Sequence, residues 1–111
     1  MVISLDPEAI EAHNNLGIAL HKLGQIDRAV ELFKKAIKLN SNYSLAHNNL
    51  GNAYRDMGML DESVSSYKSA IDVKPDYAEA HNNLGNAYRD LGKAKESLKF
   101  YEKAILIDPD Y

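Results

Sequence analysis

Cysteine and tryptophan are both missing from the 111 residues. Without thiols the chain forms no disulfide, thiolate zinc site, iron–sulfur cluster or cysteine nucleophile. That absence leaves the redox compartment open, because cytosol and periplasm both permit a cysteine-free domain. A basic excess is lacking too: Lys+Arg 13 against Asp+Glu 16 give a formal net charge of -3. Binding a phosphate backbone needs the opposite balance, so nucleic acid is not an expected partner. No apolar run approaches the ~18–20 residues of a membrane span, and the opening MVISLDPEA has neither the basic nor the apolar region of a secretion signal. No membrane partner is expected, and the cytoplasm is favoured over secretion. Catalytic signatures are equally wanting: there is no P-loop, dinucleotide-binding glycine motif, Gly-x-Ser-x-Gly elbow or His-Glu-x-x-His. The chain does not read as an enzyme, and no cofactor is expected. What it does contain is core material. With 45% hydrophobic and 26% charged residues, it excludes disorder and fits one domain or one short array.

A period of 34 residues organises that material. AHNNLGIALHKLG begins at Ala12, AHNNLGNAYRDMG at Ala46 and AHNNLGNAYRDLG at Ala80. The 6 glycines fall into two series, Gly17/Gly51/Gly85 and Gly24/Gly58/Gly92. The 3 prolines, Pro7, Pro75 and Pro109, share a third series, with Ser41 at the remaining place. Repetition at this length marks an array of stacked supersecondary units.

Each unit reads as two helices. In the third, one runs from about Tyr77 to Leu91 and stops at Gly92, which can close a helix in the left-handed conformation. The other runs from about Ala94 to Ile107, with Leu98, Tyr101, Ala104, Ile105 and Ile107 at spacings that build one apolar side, and ends before Pro109. Strand signals are absent, and the short connection forces the two helices antiparallel. At ~100° per residue, Ala80, His81, Leu84, Ala87, Tyr88 and Leu91 share a broad arc with Gly85 at its edge. Glu79, Asn82, Asn83, Asn86, Arg89 and Asp90 share the opposite one. The apolar arc is wider than one partner needs, so it packs on its own second helix and on the neighbouring unit. A glycine inside the helix at Gly85 costs ~0.5–1 kcal/mol, which predicts another helix in close approach there.

The period, the Asn-Leu-Gly core, the Ala/Tyr spacing, the inter-helix glycine and the terminal Asp-Pro resemble the tetratricopeptide repeat family. In unit two the signature reads Leu50, Gly51, Tyr54, Ser63, Tyr67, Ala70 and Pro75; in unit three it reads Leu84, Gly85, Tyr88, Ser97, Tyr101, Ala104 and Pro109. His13, His47 and His81 stand where an aromatic is usual, and Ser63 and Ser97 where the family has alanine. The resemblance implies an all-α right-handed superhelix, an α-solenoid of antiparallel helix pairs. Its units are expected at 10–43, 44–77 and 78–111, with 1–9 the tail of a preceding repeat helix. Ile3-Ser4-Leu5-Asp6-Pro7 parallels Ile105-Leu106-Ile107-Asp108-Pro109, so the expectation is a fragment of a longer array; the alternative is a small protein that covers its ends by self-association.

Among polar residues the asparagines stand out. Asn14/Asn15, Asn48/Asn49 and Asn82/Asn83 recur in every unit, and Asn52 and Asn86 follow in two. Asparagine is a mediocre helix former, yet its amide matches the donor and acceptor of a peptide group. Stacked first helices would line these amides along one wall able to hold an extended backbone. Arg55 and Arg89 would add contacts to a carboxylate, although Asp56 and Asp90 beside them can neutralise both. The competing reading is structural: Asn15, Asn49 and Asn83 bond neighbouring backbone or each other and fix the repeat spacing. Drift between the second helices of units two and three (Glu62–Tyr67 against Glu96–Tyr101), while the first helices stay nearly identical, favours a groove with a task.

The rest reads as structure. His13, His47 and His81 recur at the period and are expected to pack rather than bind metal, since helices in contact lie 8–10 Å apart and a zinc ligand must approach to ~2.1 Å. His21 is expected to be solvated or to face the groove. Asp61/Glu62 and Asp108/Asp110 suit helix starts and repeat boundaries, and the lysines of the second helices, such as Lys34, Lys35, Lys38 and Lys99, a solvated face. As enzyme candidates His21, Asp56 and Asp90 are too spread.

Family resemblance sharpens the expected partner. Chaperone-binding members hold a C-terminal carboxylate with Lys, Asn and Arg, where this chain carries Asn14, Ile18, Asn49, Glu79 and Asn83. The asparagine pattern is more similar to the superhelical arrays of O-linked N-acetylglucosamine transferases, whose repeated asparagines hold protein substrates. The expected function is a scaffold that binds an extended peptide of another protein. The alternatives are a self-assembly scaffold and the substrate-recruiting segment of a glycosyltransferase.

Overall fold

A computed structural model of the protein describes residues 6–110. Six helices follow one another: α1 (Pro7–Lys22), α2 (Ile26–Leu39), α3 (Ser44–Asp56), α4 (Leu60–Val73), α5 (Ala78–Asp90) and α6 (Ala94–Ile107). No strand occurs among the described residues. Gly24, Gly58 and Gly92 close the first helix of each pair at φ 82°, 76° and 77°. The left-handed residue lets the next amide turn back, and Gln25, Met59 and Lys93 N–H reach the carbonyls of Leu20, Tyr54 and Tyr88 at 2.8–2.9 Å. Orphan carbonyls at the helix end are thereby satisfied.

The start of α1 is set differently. Asp6 caps it by accepting from Glu8 N–H at 3.0 Å, and Pro7 takes the first turn, where a missing N–H is harmless. Asp6–Ala9, expected within the tail segment 1–9, therefore cap and open α1; the rest of that expected tail, residues 1–5, lies outside the described residues. In the other two pairs the equivalent stretch is a turn, and His47 and His81 pin it by bonding the carbonyls of Ser41 and Pro75, each at 2.9 Å. With Pro7 already helical, His13 bonds Ala9 O instead at 2.7 Å. The ring of His81 also stacks on Phe100, centroids 6.1 Å apart. These histidines pack.

Each hairpin closes around a glycine. A Cβ at Gly17, Gly51 or Gly85 would stand 2.5–2.7 Å from the ring of Phe33, Tyr67 or Tyr101. The close approach inferred at Gly85 is thus its own second helix. Ser63, in the family's alanine position, uses its hydroxyl to donate to Gly51 O at 2.9 Å. The core runs across pair boundaries. Leu20, Ala29, Val30 and Phe33 of the first pair meet Leu50 and Ala53 of α3, and Tyr67 of α4 meets Leu84, Ala87 and Tyr88 of α5. Packing on both neighbours yields an elongated stack, 46 × 27 × 25 Å. It is an α-solenoid whose first helices, α1, α3 and α5, touch in succession.

Candidate functional site

The first helices are joined by a ladder of polar rungs, each linking residues 35 apart. Asn49 Nδ2 donates to Asn14 Oδ1 at 3.0 Å, and Asn83 Nδ2 to Asn48 Oδ1 at 3.1 Å. His21 Nε2 meets Asp56 Oδ2 at 2.5 Å, and Arg55 Nε donates to Asp90 Oδ2 at 2.7 Å. Adjacent asparagines divide the work: the first of one pair accepts from the second of the next. Asn14 and Asn48 are consequently buried, 3% and 1% exposed.

Two cavities lie over this ladder. The first, of about 330 Å³, spans α1, α3 and α5; Asn14, Asn15, Asn48 and Asn49 line it together with Glu11, Ile18, Tyr43, Leu45, Tyr77 and Glu79. The second, of about 390 Å³, shares Ile18 and Asn49 with it and adds His21, Lys22, Phe33, Asn52 and Asp56. Asn14 and Asn48 form part of the first cavity's lining, yet none of their hydrogen bonds uses Nδ2. Asn49 commits Nδ2 and keeps Oδ1. Asn15 is exposed and makes no rung.

Asn52 and Asn86 are oriented from the second helices. The Tyr67 hydroxyl donates to Asn52 Oδ1 and the Tyr101 hydroxyl to Asn86 Oδ1, both at 2.5 Å. Burial pushes the Tyr67 phenol up to about 12, so it keeps the proton it donates. Each amide keeps Nδ2 uncommitted. In unit one both partners change together, to Ile18 and Phe33. That covariation within the chain was the signal for the pairing, and comparing only first helices misses it.

The expected arginines are spent differently. Burial alone would depress the Arg55 guanidinium; the Asp90 hydrogen bond overrides this, and the net shift is upward. Arg55 is therefore a rung, not a free cation awaiting a carboxylate. Arg89 remains 61% exposed, with Nε 3.9 Å from Asp90 Oδ1. Asn82 and Asn83 are half-buried and line neither cavity. His21, expected to be solvated or groove-facing, lines the second cavity and is held by Asp56. Glu11, Tyr43, Leu45 and Tyr77 also line the first cavity, although the sequence singles out asparagines and arginines instead; Glu11, Leu45 and Glu79 are one position in successive units. Among the described residues no three His, Asp or Glu side chains converge as a metal site would require.

The comparisons agree with the fold. Models described as "TPR repeat" match residues 19–58 and 51–88, and models described as "Tetratricopeptide repeat" match 78–111 and 1–31. No curated protein sequence matches the chain. Among solved structures, MamA is 30% identical with a TM-score of 0.87, over 95% of this chain and 61% of that one. YrrB, described as a TPR protein with an unusual peptide-binding site, is 31% identical with a TM-score of 0.85, over 92% of this chain and 53% of that one. The chain thus spans about half to three fifths of those relatives. The first TPR of Spaghetti (RPAP3) bound to the HSP90 peptide SRMEEVD superposes at a TM-score of 0.93, over 99% of this chain and 87% of that one; at 22% identity it speaks for the fold alone.

Proposed function

The chain belongs to the tetratricopeptide repeat family, and from that membership we propose that it is a protein-interaction module holding an extended segment of another protein along α1, α3 and α5. One observation carries the reading. The cavity over the ladder offers unused Nδ2 donors on buried Asn14 and Asn48 and an unused Oδ1 acceptor on Asn49. A peptide backbone offers the complementary carbonyls and N–H groups at every residue. Because the rungs hold the amides in place, little side-chain freedom is lost on binding. The peptide-binding site named for YrrB, at 31% identity, supports the same use.

In this reading Asn15, Asn49 and Asn52 contact the ligand directly, while Asn14 and Asn48 donate from beneath it. Asn83 and Arg55 serve the ladder, and Asn82, Asn86 and Arg89 extend the surface over the third unit. The groove and ladder roles separate by mutation. Asn15→Ala, which breaks no rung, should weaken capture of array-selected peptides about fivefold, one hydrogen bond's net contribution, with Tm unchanged. Asn83→Ala, which breaks the rung to Asn48, should lower Tm. Titration of both variants by calorimetry and thermal melts checks this. Unchanged binding by Asn15→Ala would sink the groove role and leave the asparagines as spacers.

A second reading, self-association of the stack, is favoured by Leu98 and Ile105 of α6. They are 58% and 55% exposed, whereas Val30, the counterpart of Leu98 in α2, is 8% exposed, and Ile37, the counterpart of Ile105, is half-buried.

A further inference from the structure

The charge of the first cavity bears on what kind of segment it takes. Its charged lining residues are Glu11 and Glu79, and no Lys, Arg or His contributes to it. Both carboxylates are exposed, and neither has an ion pair. Glu11 stands on the second turn of α1 and Glu79 on the first turn of α5, on either side of Leu45 from α3, with Tyr43 and Tyr77 on the same cavity. Burial, and then the nearby Glu11 carboxylate, hold the Tyr43 phenol above its ordinary range. Arg55 does not line this cavity and is bonded to Asp90 at 2.7 Å. Lys22 lies on the second cavity, beyond Ile18 and Asn49.

We infer that the first cavity selects a basic segment: a Lys or Arg side chain enters between Glu11 and Glu79 while the buried Asn14 and Asn48 amides hold the adjoining backbone carbonyls. The inference rests on the peptide-groove reading and gives it a ligand class opposite to the acidic one that Arg55 and Arg89 first suggest. A long basic side chain suits the lining, since its methylenes lie against Leu45, Ile18 and the tyrosine rings while its head reaches the carboxylates. An acidic side chain would meet two like charges with nothing to neutralise it.

The probe is a set of fluorescent peptides, alike except for Lys, Gln or Glu at one central position, on an uncharged sequence drawn from array hits. Fluorescence anisotropy at low salt should place the Lys peptide about tenfold tighter than the Glu peptide, with Gln between. The gap should shrink as salt is raised. In the Glu11→Gln/Glu79→Gln variant, whose exposed substitutions leave the melt unchanged, the three affinities should converge while binding persists. Equal affinities in the wild-type protein, or a Lys preference that survives in the variant, would overturn the inference and leave the groove standing. Failure of every peptide to bind would overturn both.

Discussion

An asparagine amide has two ends, and in this protein they are committed separately. Oδ1 of Asn52 accepts from the Tyr67 hydroxyl, so the other end is fixed as a donor. Unit one lacks both halves of that contact and places Ile18 against Phe33. The pair therefore works as a unit, polar together or apolar together. Asn52→Ile alone strands the hydroxyl of a fully buried tyrosine and should cost about 2 kcal/mol; Tyr67→Phe alone loses one hydrogen bond and should cost about 1 kcal/mol. Joined, they rebuild the unit-one arrangement and should cost clearly less than the two separately, with a coupling of about 1 kcal/mol or more in a double-mutant cycle read from urea unfolding. Strict additivity would show that the short contact carries no energy. Arg55 obeys the same logic: its positive charge is legible in the sequence, but its availability is not, because Asp90 lies 35 residues away and one helix over.

Helices were the most legible scale. The second helix of unit three spans Ala94–Ile107 as its apolar spacing predicts, and the glycine at each first-helix end has the expected left-handed backbone. Local chemistry decides both features, so a linear reading suffices. The start of α1 was not legible from the period, because the Asp6 side chain and Pro7 form a helix start that the later units lack. The division of the asparagine doublets was hidden for another reason: helical angles separate neighbours by only ~100° and say nothing of which one meets the next helix. Glycine at the hairpin contact is the element-scale constraint. At Gly51 a methyl group would meet the fully buried Tyr67 ring at 2.5 Å, and a ring held on all sides does not yield cheaply. Gly51→Ala gains ~1 kcal/mol of helix propensity but overpacks the contact by about 1–3 kcal/mol. A net loss of about 1 kcal/mol in chemical denaturation is expected. Stabilisation instead would mean that α3 and α4 can separate freely.

At the scale of the whole molecule the step of 35 becomes a rule for stacking. It joins α1 to α3 and α3 to α5 through an Asn–Asn rung and a second rung onto a carboxylate, from His21 to Asp56 and from Arg55 to Asp90. Extended past α5 onto a second copy stacked end to end, the same step sets Asn82 against Asn15 of that copy and Arg89 against its Lys22. The first contact matches the existing rungs, and the apolar side of α6 supplies Leu98 and Ile105 for burial. The second contact opposes two positive charges, because Lys22 occupies the place of Asp56 and Asp90 in the other units. One residue should thus bias the chain against adding copies of itself, and reversing its charge should release that bias. In Lys22→Asp the boundary would acquire the Arg–Asp rung seen between Arg55 and Asp90. Sedimentation at matched concentrations should then show the variant associating at about tenfold lower concentration than the wild-type chain, an effect weakened by salt as an exposed ion pair is. Since Arg89→Asp would restore the opposite pairing with the native Lys22, it should also promote association, whereas the two changes combined should set carboxylate against carboxylate and suppress it. Association that ignores all three charge patterns would mean the copies meet by some surface other than the stacked ends.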